Sequence, residues 1–143
     1  MILMDVNVLV YAFREAAPEH RRYREWLLER VNAREPFGVS ELVLGGAVRI
    51  LTHPRVFAPP TPIENAIEFA GALRSQPNAV LVTPGERHWE IFVELCTQAG
   101  AKGNLVPDAY LAALAIEHGC EFVTTDRDFA RFPGLRWRHP LDG

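Results

Sequence analysis

Short apolar runs alternating with helix-length amphipathic segments constrain this chain more than any other feature. Met1-Ile2-Leu3-Met4 reads as a buried strand ending at Asp5. Phe37-Gly38-Val39, Ala79-Val80-Leu81-Val82 and Glu121-Phe122-Val123-Thr124 read as three more, and Leu135-Arg136-Trp137 is a candidate fifth. Helical patterns fill the gaps: Val6 to Arg14, Pro18 to Val31, Ser40 to just before Pro54, Thr61 to about Leu73, Glu86 to Ala99 and Pro107 to Glu117. Ser40 is a good N-cap, Thr61 with Glu64 makes a capping box, Pro107 suits the first position of a helix and Gly119 suits a C-terminal stop. Parallel strands need long crossovers and have both faces covered, so the alternation predicts an α/β fold with a mainly parallel central sheet flanked by helices.

The 143 residues suit one domain, 1–143, with one core. No repeat, low-complexity stretch or linker divides them. Apolar residues at 48% and charged residues at 23% exclude a disordered chain. No stretch reaches the roughly 20 apolar residues that span a membrane. The N-terminal run has no basic leader and is interrupted by Asp5 and Arg14, so no signal peptide is expected. Cys96 and Cys120 lack metal-ligand spacing and read as free thiols, which points to a cytoplasmic protein.

The net charge of −3 does not mark the chain as a nucleic-acid binder. The acids say more. Asp5 lies at the end of the first strand, and Glu41 in the first turn of the helix after the second. Asp126 and Asp128 follow the fourth strand, and Asp108 opens the helix that leads into it. In a parallel sheet, strand ends and the starts of the following helices share one edge, where ligands bind. Each acid also has a structural reading. Asp5 suits an N-cap, Glu41 and Asp108 complement helix dipoles, and Asp126 and Asp128 suit a turn. Together, however, such carboxylates repel one another unless a cation lies among them, and all-oxygen donors select Mg²⁺ or Mn²⁺.

Four segments resemble a known family. Met4-Asp5-Val6-Asn7-Val8-Leu9-Val10, Ser40-Glu41-Leu42-Val43, Pro107-Asp108-Ala109-Tyr110-Leu111 and Thr124-Thr125-Asp126-Arg127-Asp128-Phe129 are similar, in order, to the acidic motifs of the PIN-domain ribonucleases, and specifically of the VapC toxins of bacterial toxin–antitoxin pairs. The resemblance implies a PIN-like three-layer sandwich. It implies Asp5, Glu41, Asp108 and Asp126 as the catalytic, metal-holding set, with Asp128 as an additional ligand or supporting group. It further implies hydrolysis of RNA phosphodiester bonds with Mg²⁺ or Mn²⁺, a homodimer, and a cognate VapB-like antitoxin whose tail covers the toxin's groove. The metal lowers the pKa of water and stabilises charge on the leaving oxygen, whether one ion acts or two. The region from Val56 to Arg74 matches no catalytic motif.

Outside the acids, four residues are candidates for binding substrate. Asn7 suits a phosphate contact as well as a local backbone bond. Arg127 and Arg131 begin a basic cluster beside Asp126, and Trp137, between Arg136 and Arg138, is placed to stack on an unpaired base. Trp26 and Trp89 lie in apolar helical patterns and are expected in the core. Thr124 and Thr125 are β-formers first, although a hydroxyl there suits the metal's surroundings. The five histidines form no ligand pair. Gly45 and Gly46, inside a helix, imply close approach of another helix or chain. The competing readings are a structure-specific DNA nuclease, for which the chain has little room, and a Mg²⁺-binding receiver-like module. The latter wants an acceptor Asp after the third strand, where Thr83-Pro84-Gly85 stands instead.

Overall fold

The computed structural model describes residues 1–142. Strands β1 (Ile2–Met4), β2 (Phe37–Val39), β3 (Ala79–Leu81), β4 (Glu121–Val123) and β5 (Trp137–Arg138) form one sheet in the order β3-β2-β1-β4-β5, and every pairing is parallel. The helices are α1 (Val6–Phe13), α2 (His20–Asn32), α3 (Glu41–Leu51), α4 (Ile63–Arg74), α5 (His88–Ala99) and α6 (Leu105–Glu117), with a 3₁₀ helix at Arg127–Arg131.

From β1 the chain steps outward to β2 and β3 through α1 to α4, then returns across the sheet through α5 and α6 to β4 on the other side of β1. Right-handed crossovers place helices on opposite faces when the direction of travel reverses. Accordingly α1 packs on α2 and α3, α3 on α4, and α5 on α6, which gives the three-layer sandwich. Leu3, Leu9, Phe37, Leu51, Phe122 and Phe129 fill the core between these layers with at most 1% exposure. No helix among the described residues is long and apolar enough to cross a membrane.

Gly46 is where α3 meets α1. A Cβ there would lie 2.9 Å from Cγ2 of Val6, so only glycine lets the two helices approach so closely. Gly45 has no such neighbour; a Cβ there meets nothing within 4 Å.

Four local expectations are corrected. The capping box does not form. Pro62 caps α4 without a side-chain bond, and the Thr61 hydroxyl instead accepts from Nη1 of Arg14 at 3.1 Å. Pro107 is the third residue of α6 rather than the first, still within the turn whose N–H groups have no helical partner. Trp89 is 69% exposed rather than in the core, because α5 buries the face carrying His88 and Leu95. The fifth strand begins at Trp137, not Leu135.

Candidate metal centre

The order β3-β2-β1-β4-β5 reverses direction between β1 and β4, and a crevice opens beyond strand ends at such a switch point. Met4 pairs with Val123, and the Asp5 amide donates to the Val123 carbonyl at 2.9 Å. Asp5 and Thr124 therefore leave the sheet side by side. The Asp5 side chain is buried. Its Oδ1 accepts from the Val6 amide at 2.7 Å and caps α1, while its Oδ2 accepts from Thr124 Oγ1 at 2.7 Å.

Thr124 is fully buried, and its Oγ1 in turn accepts from the Asp126 amide at 3.0 Å. Oδ1 of Asp126 accepts from the Asp128 amide at 2.9 Å and caps the 3₁₀ helix. One run of hydrogen bonds thus ties Asp5 to Thr124, Asp126 and Asp128. The capping role and the site geometry coexist at Asp5 and at Asp126: each carboxylate fixes a chain turn and keeps oxygen lone pairs free.

Asp108 stands in the first turn of α6. Burial, then the charges of Asp126, Asp5 and Asp128 in that order, push its carboxyl up to about 6, all four acting in the same direction. Asp5 is also raised, chiefly by burial; the bonds from Thr124 and Val6 pull back against this, and Asp126 adds to it. Asp108 thus lies within electrostatic reach of Asp126, Asp5 and Asp128, and Asp5 within reach of Asp126.

Glu41 behaves differently. The pairing of Leu3 with Gly38 carries β2 out at the same edge, so α3 starts near Asp5. The Glu41 side chain nevertheless turns outward, and its Oε2 accepts from Nε of Arg74 at 3.0 Å. Of the residues expected to meet substrate, Asn7 is half-buried in the first turn of α1 and Trp137 is half-buried on the edge strand β5. Arg131 is exposed, and Arg127 is paired with Asp142 at 3.3 Å. Thr124 is more central than the sequence suggests. Its signal is a hydroxyl at the end of a buried strand, two residues before an aspartate. Arg74 carries no sequence signal at all.

Among the described residues, no three His, Cys, Asp or Glu side chains converge closely enough, as they stand, to hold a metal ion together. The donor chemistry nevertheless fits a hard divalent cation. The groups are carboxylates, they repel one another, and Asp108 and Asp128 reach solvent. Glu41, turned to Arg74, stands apart from the hydrogen-bonded run of Asp5, Thr124, Asp126 and Asp128. A hollow of about 680 Å³ at the opposite edge of the sheet, lined by residues such as Val31, Arg34 and Asn78, contains no acid and offers no comparable chemistry.

The profile of the family described as "PIN domain" matches residues 2–135. Ribonuclease VapC43 of Mycobacterium tuberculosis is 47% identical over 143 residues, covering 100% of this chain and 97% of that protein. Ribonuclease VapC25 of the same organism is 43% identical over 140 residues, covering 98% and 99%. Among solved structures, VapBC2 from Rickettsia felis, bound to a DNA fragment from its promoter, superposes with a TM-score of 0.68 at 21% identity, over 97% of this chain and 98% of that one.

Proposed function

This chain belongs to the PIN-domain family, among the VapC ribonucleases, and on that premise we propose that it is a Mg²⁺- or Mn²⁺-dependent endoribonuclease and the toxin of a toxin–antitoxin pair. The observation that carries the chemistry is the run of hydrogen bonds that ties Asp5 to Thr124, Asp126 and Asp128 where the sheet reverses its order, with Asp108 close enough for their charges to push its carboxyl upward. A constellation of that kind suits a cation and disfavours a metal-free resting state.

Asp5, Asp108 and Asp126 are the residues that would hold the cation, with Asp128 in support and Glu41 joining once it leaves Arg74. A cation held by these residues would supply an acidified water and offset charge on the phosphate. The protein's own part is positional. Asp5 is fixed by two hydrogen bonds and Asp126 by its bond to Asp128, so both carboxylates are oriented before substrate arrives. Hydrolysis joins the oxygen of a water molecule to phosphorus and breaks one phosphate ester bond. The departing sugar oxygen receives a proton.

The partners follow from the same membership: an RNA substrate, a second copy of the chain, and a co-encoded VapB-like antitoxin. Leu42 and Ile67, each 57% exposed on α3 and α4, give that antitoxin an apolar surface beside the site. The direct test is cleavage of RNA and of single- and double-stranded DNA by the purified protein. RNA cleavage with Mg²⁺ or Mn²⁺, lost in EDTA and in Asp5→Asn, supports the reading. Cleavage undiminished in EDTA removes the metal, and cleavage of DNA alone removes the ribonuclease.

A further inference from the structure

We propose that Arg74 is a phosphate-binding residue for RNA, held at the lip of the site by Glu41 until substrate takes it over. The proposal rests on the ribonuclease reading and adds a residue to it. A cluster of carboxylates repels a polyanion, so cleavage needs cationic side chains beside the acids. Most arginines of the C-terminal cluster are already occupied, and Arg131, which bonds no acceptor among the described residues, lies exposed at the end of the 3₁₀ helix away from Asp126. Arg127 pairs with Asp142, Arg138 with Glu121, and Arg136 donates to the Gly119 carbonyl. Arg14 donates to Thr61 and to the Pro59 carbonyl.

Arg74 differs in position and in what it leaves free. It is the last residue of α4, and it reaches across to the first turn of α3, at the edge where β1 and β2 end. Only its Nε is engaged, by Glu41 at 3.0 Å, and its two terminal nitrogens bond no acceptor among the described residues. A guanidinium with two free terminal nitrogens presents the fork that matches two phosphate oxygens. The ion pair is half open to water, with side-chain exposures of 50% and 60%, so it exchanges at little cost.

A hollow of about 270 Å³ runs between α3 and α4 from this pair, over Leu44, Val48 and Ile67. Gly45 and Gly71 line it from facing helices, and a Cβ at either would meet nothing within 4 Å, so the space beside Arg74 stays clear for a nucleotide. The exchange also accounts for the direction of Glu41. When Arg74 turns to a phosphate, the Glu41 carboxylate is released to turn towards Asp5, and one event both anchors substrate and completes the acid set.

The test measures binding of a labelled single-stranded RNA in Mg²⁺ to full-length protein carrying Asp108→Asn, across a range of salt concentrations. Adding Arg74→Met should weaken binding about tenfold, the scale of one charge-assisted hydrogen bond. It should also reduce the salt slope by about 0.7, the share of one phosphate on a single strand. Arg74→Lys should keep the slope and recover only part of the affinity. Arg34→Met removes the same charge at the opposite edge of the sheet and should change neither. An unaltered slope in Arg74→Met, with wild-type protein still cleaving RNA, overturns the role of Arg74 alone. A wild-type protein that neither binds nor cleaves RNA overturns the ribonuclease reading and this role with it. Equal losses in Arg34→Met and Arg74→Met leave only a general charge effect and also overturn the proposal.

Discussion

Thr124 Oγ1 donates to Asp5 Oδ2 at 2.7 Å across 119 positions of sequence, joining the exit of β4 to the exit of β1 where the sheet reverses its order. Both side chains are buried, so the bond is sheltered from competing water. It lowers the Asp5 carboxyl against the upward pull of burial.

Thr124→Val keeps the shape and removes the hydroxyl. It leaves the Oδ2 of Asp5 and the amide of Asp126 without their partner. The expected loss of stability is about 1–3 kcal/mol, the scale for an unsatisfied buried group, together with a large fall in RNA cleavage. Thr124→Ser should restore most of both. Urea unfolding and cleavage rates of the three proteins decide the matter, and a fully active Thr124→Val variant would show that the bond does not orient Asp5.

Asp108→Asn removes one negative charge at nearly constant shape. Metal-free protein should become as stable as wild type or more so, by about 1 kcal/mol, because repulsion from Asp126, Asp5 and Asp128 is relieved. Cleavage should fall steeply. Mg²⁺ should raise the Tm of wild type by mass action and that of the variant much less. Equal Mg²⁺ shifts in the two melts would take Asp108 out of the metal site.

The same carboxyl sets a pH dependence. In the folded metal-free protein Asp108 titrates at about 6, against an ordinary value of 3.8, so the folded state holds this proton more tightly than the unfolded chain does. Its contribution to stability is complete below the unfolded value and is lost as pH rises through about 6. Asp5 is raised and acts in the same direction. Since Asp108 is partly exposed, screening reduces the effect to on the order of 1 kcal/mol. Wild type in EDTA should therefore lose stability between about pH 4 and about pH 7 relative to Asp108→Asn. Identical pH profiles for the two proteins would contradict the raised carboxyl.

What was legible in the sequence is what periodicity and local capping dictate. β2 falls at Phe37–Val39 as expected, a short run just before Ser40, which caps α3. Asp5 and Asp108 fall at a strand end and a helix start for the same reason. The failures lie where tertiary partners outbid local ones. Thr61 has the spacing of a capping box, but Arg14, 47 positions away, takes its hydroxyl. Trp89 fits an apolar pattern, yet the buried face of α5 is the one carrying His88, whose Nε2 lies 3.0 Å from the Tyr110 carbonyl oxygen. Glu41 is placed correctly along the chain, while its side chain follows Arg74, a cation in a segment with no motif.

Gly45 and Gly46 make the sharpest test of packing, since neighbours on one helix should respond with opposite signs. Both lie inside α3, and each costs about 1 kcal/mol of helix propensity relative to alanine. A methyl group at Gly45 meets nothing within 4 Å, so Gly45→Ala should recover most of that amount and raise the Tm. A methyl group at Gly46 meets Val6 Cγ2 at 2.9 Å, and a β-branched side chain in the first turn of α1 has few rotamers to retreat into. Gly46→Ala should therefore lose stability by about 1–3 kcal/mol, the scale of overpacking, despite its better propensity. Because Val6 follows Asp5, the displacement also falls on the Asp5 cap and should slow cleavage. Trimming the obstacle in Val6→Ala/Gly46→Ala should return part of the stability lost by Gly46→Ala alone. The measurement is a double-mutant cycle by urea unfolding, with cleavage rates alongside. Additive losses from Val6→Ala and Gly46→Ala would show that the two helices do not meet at this pair.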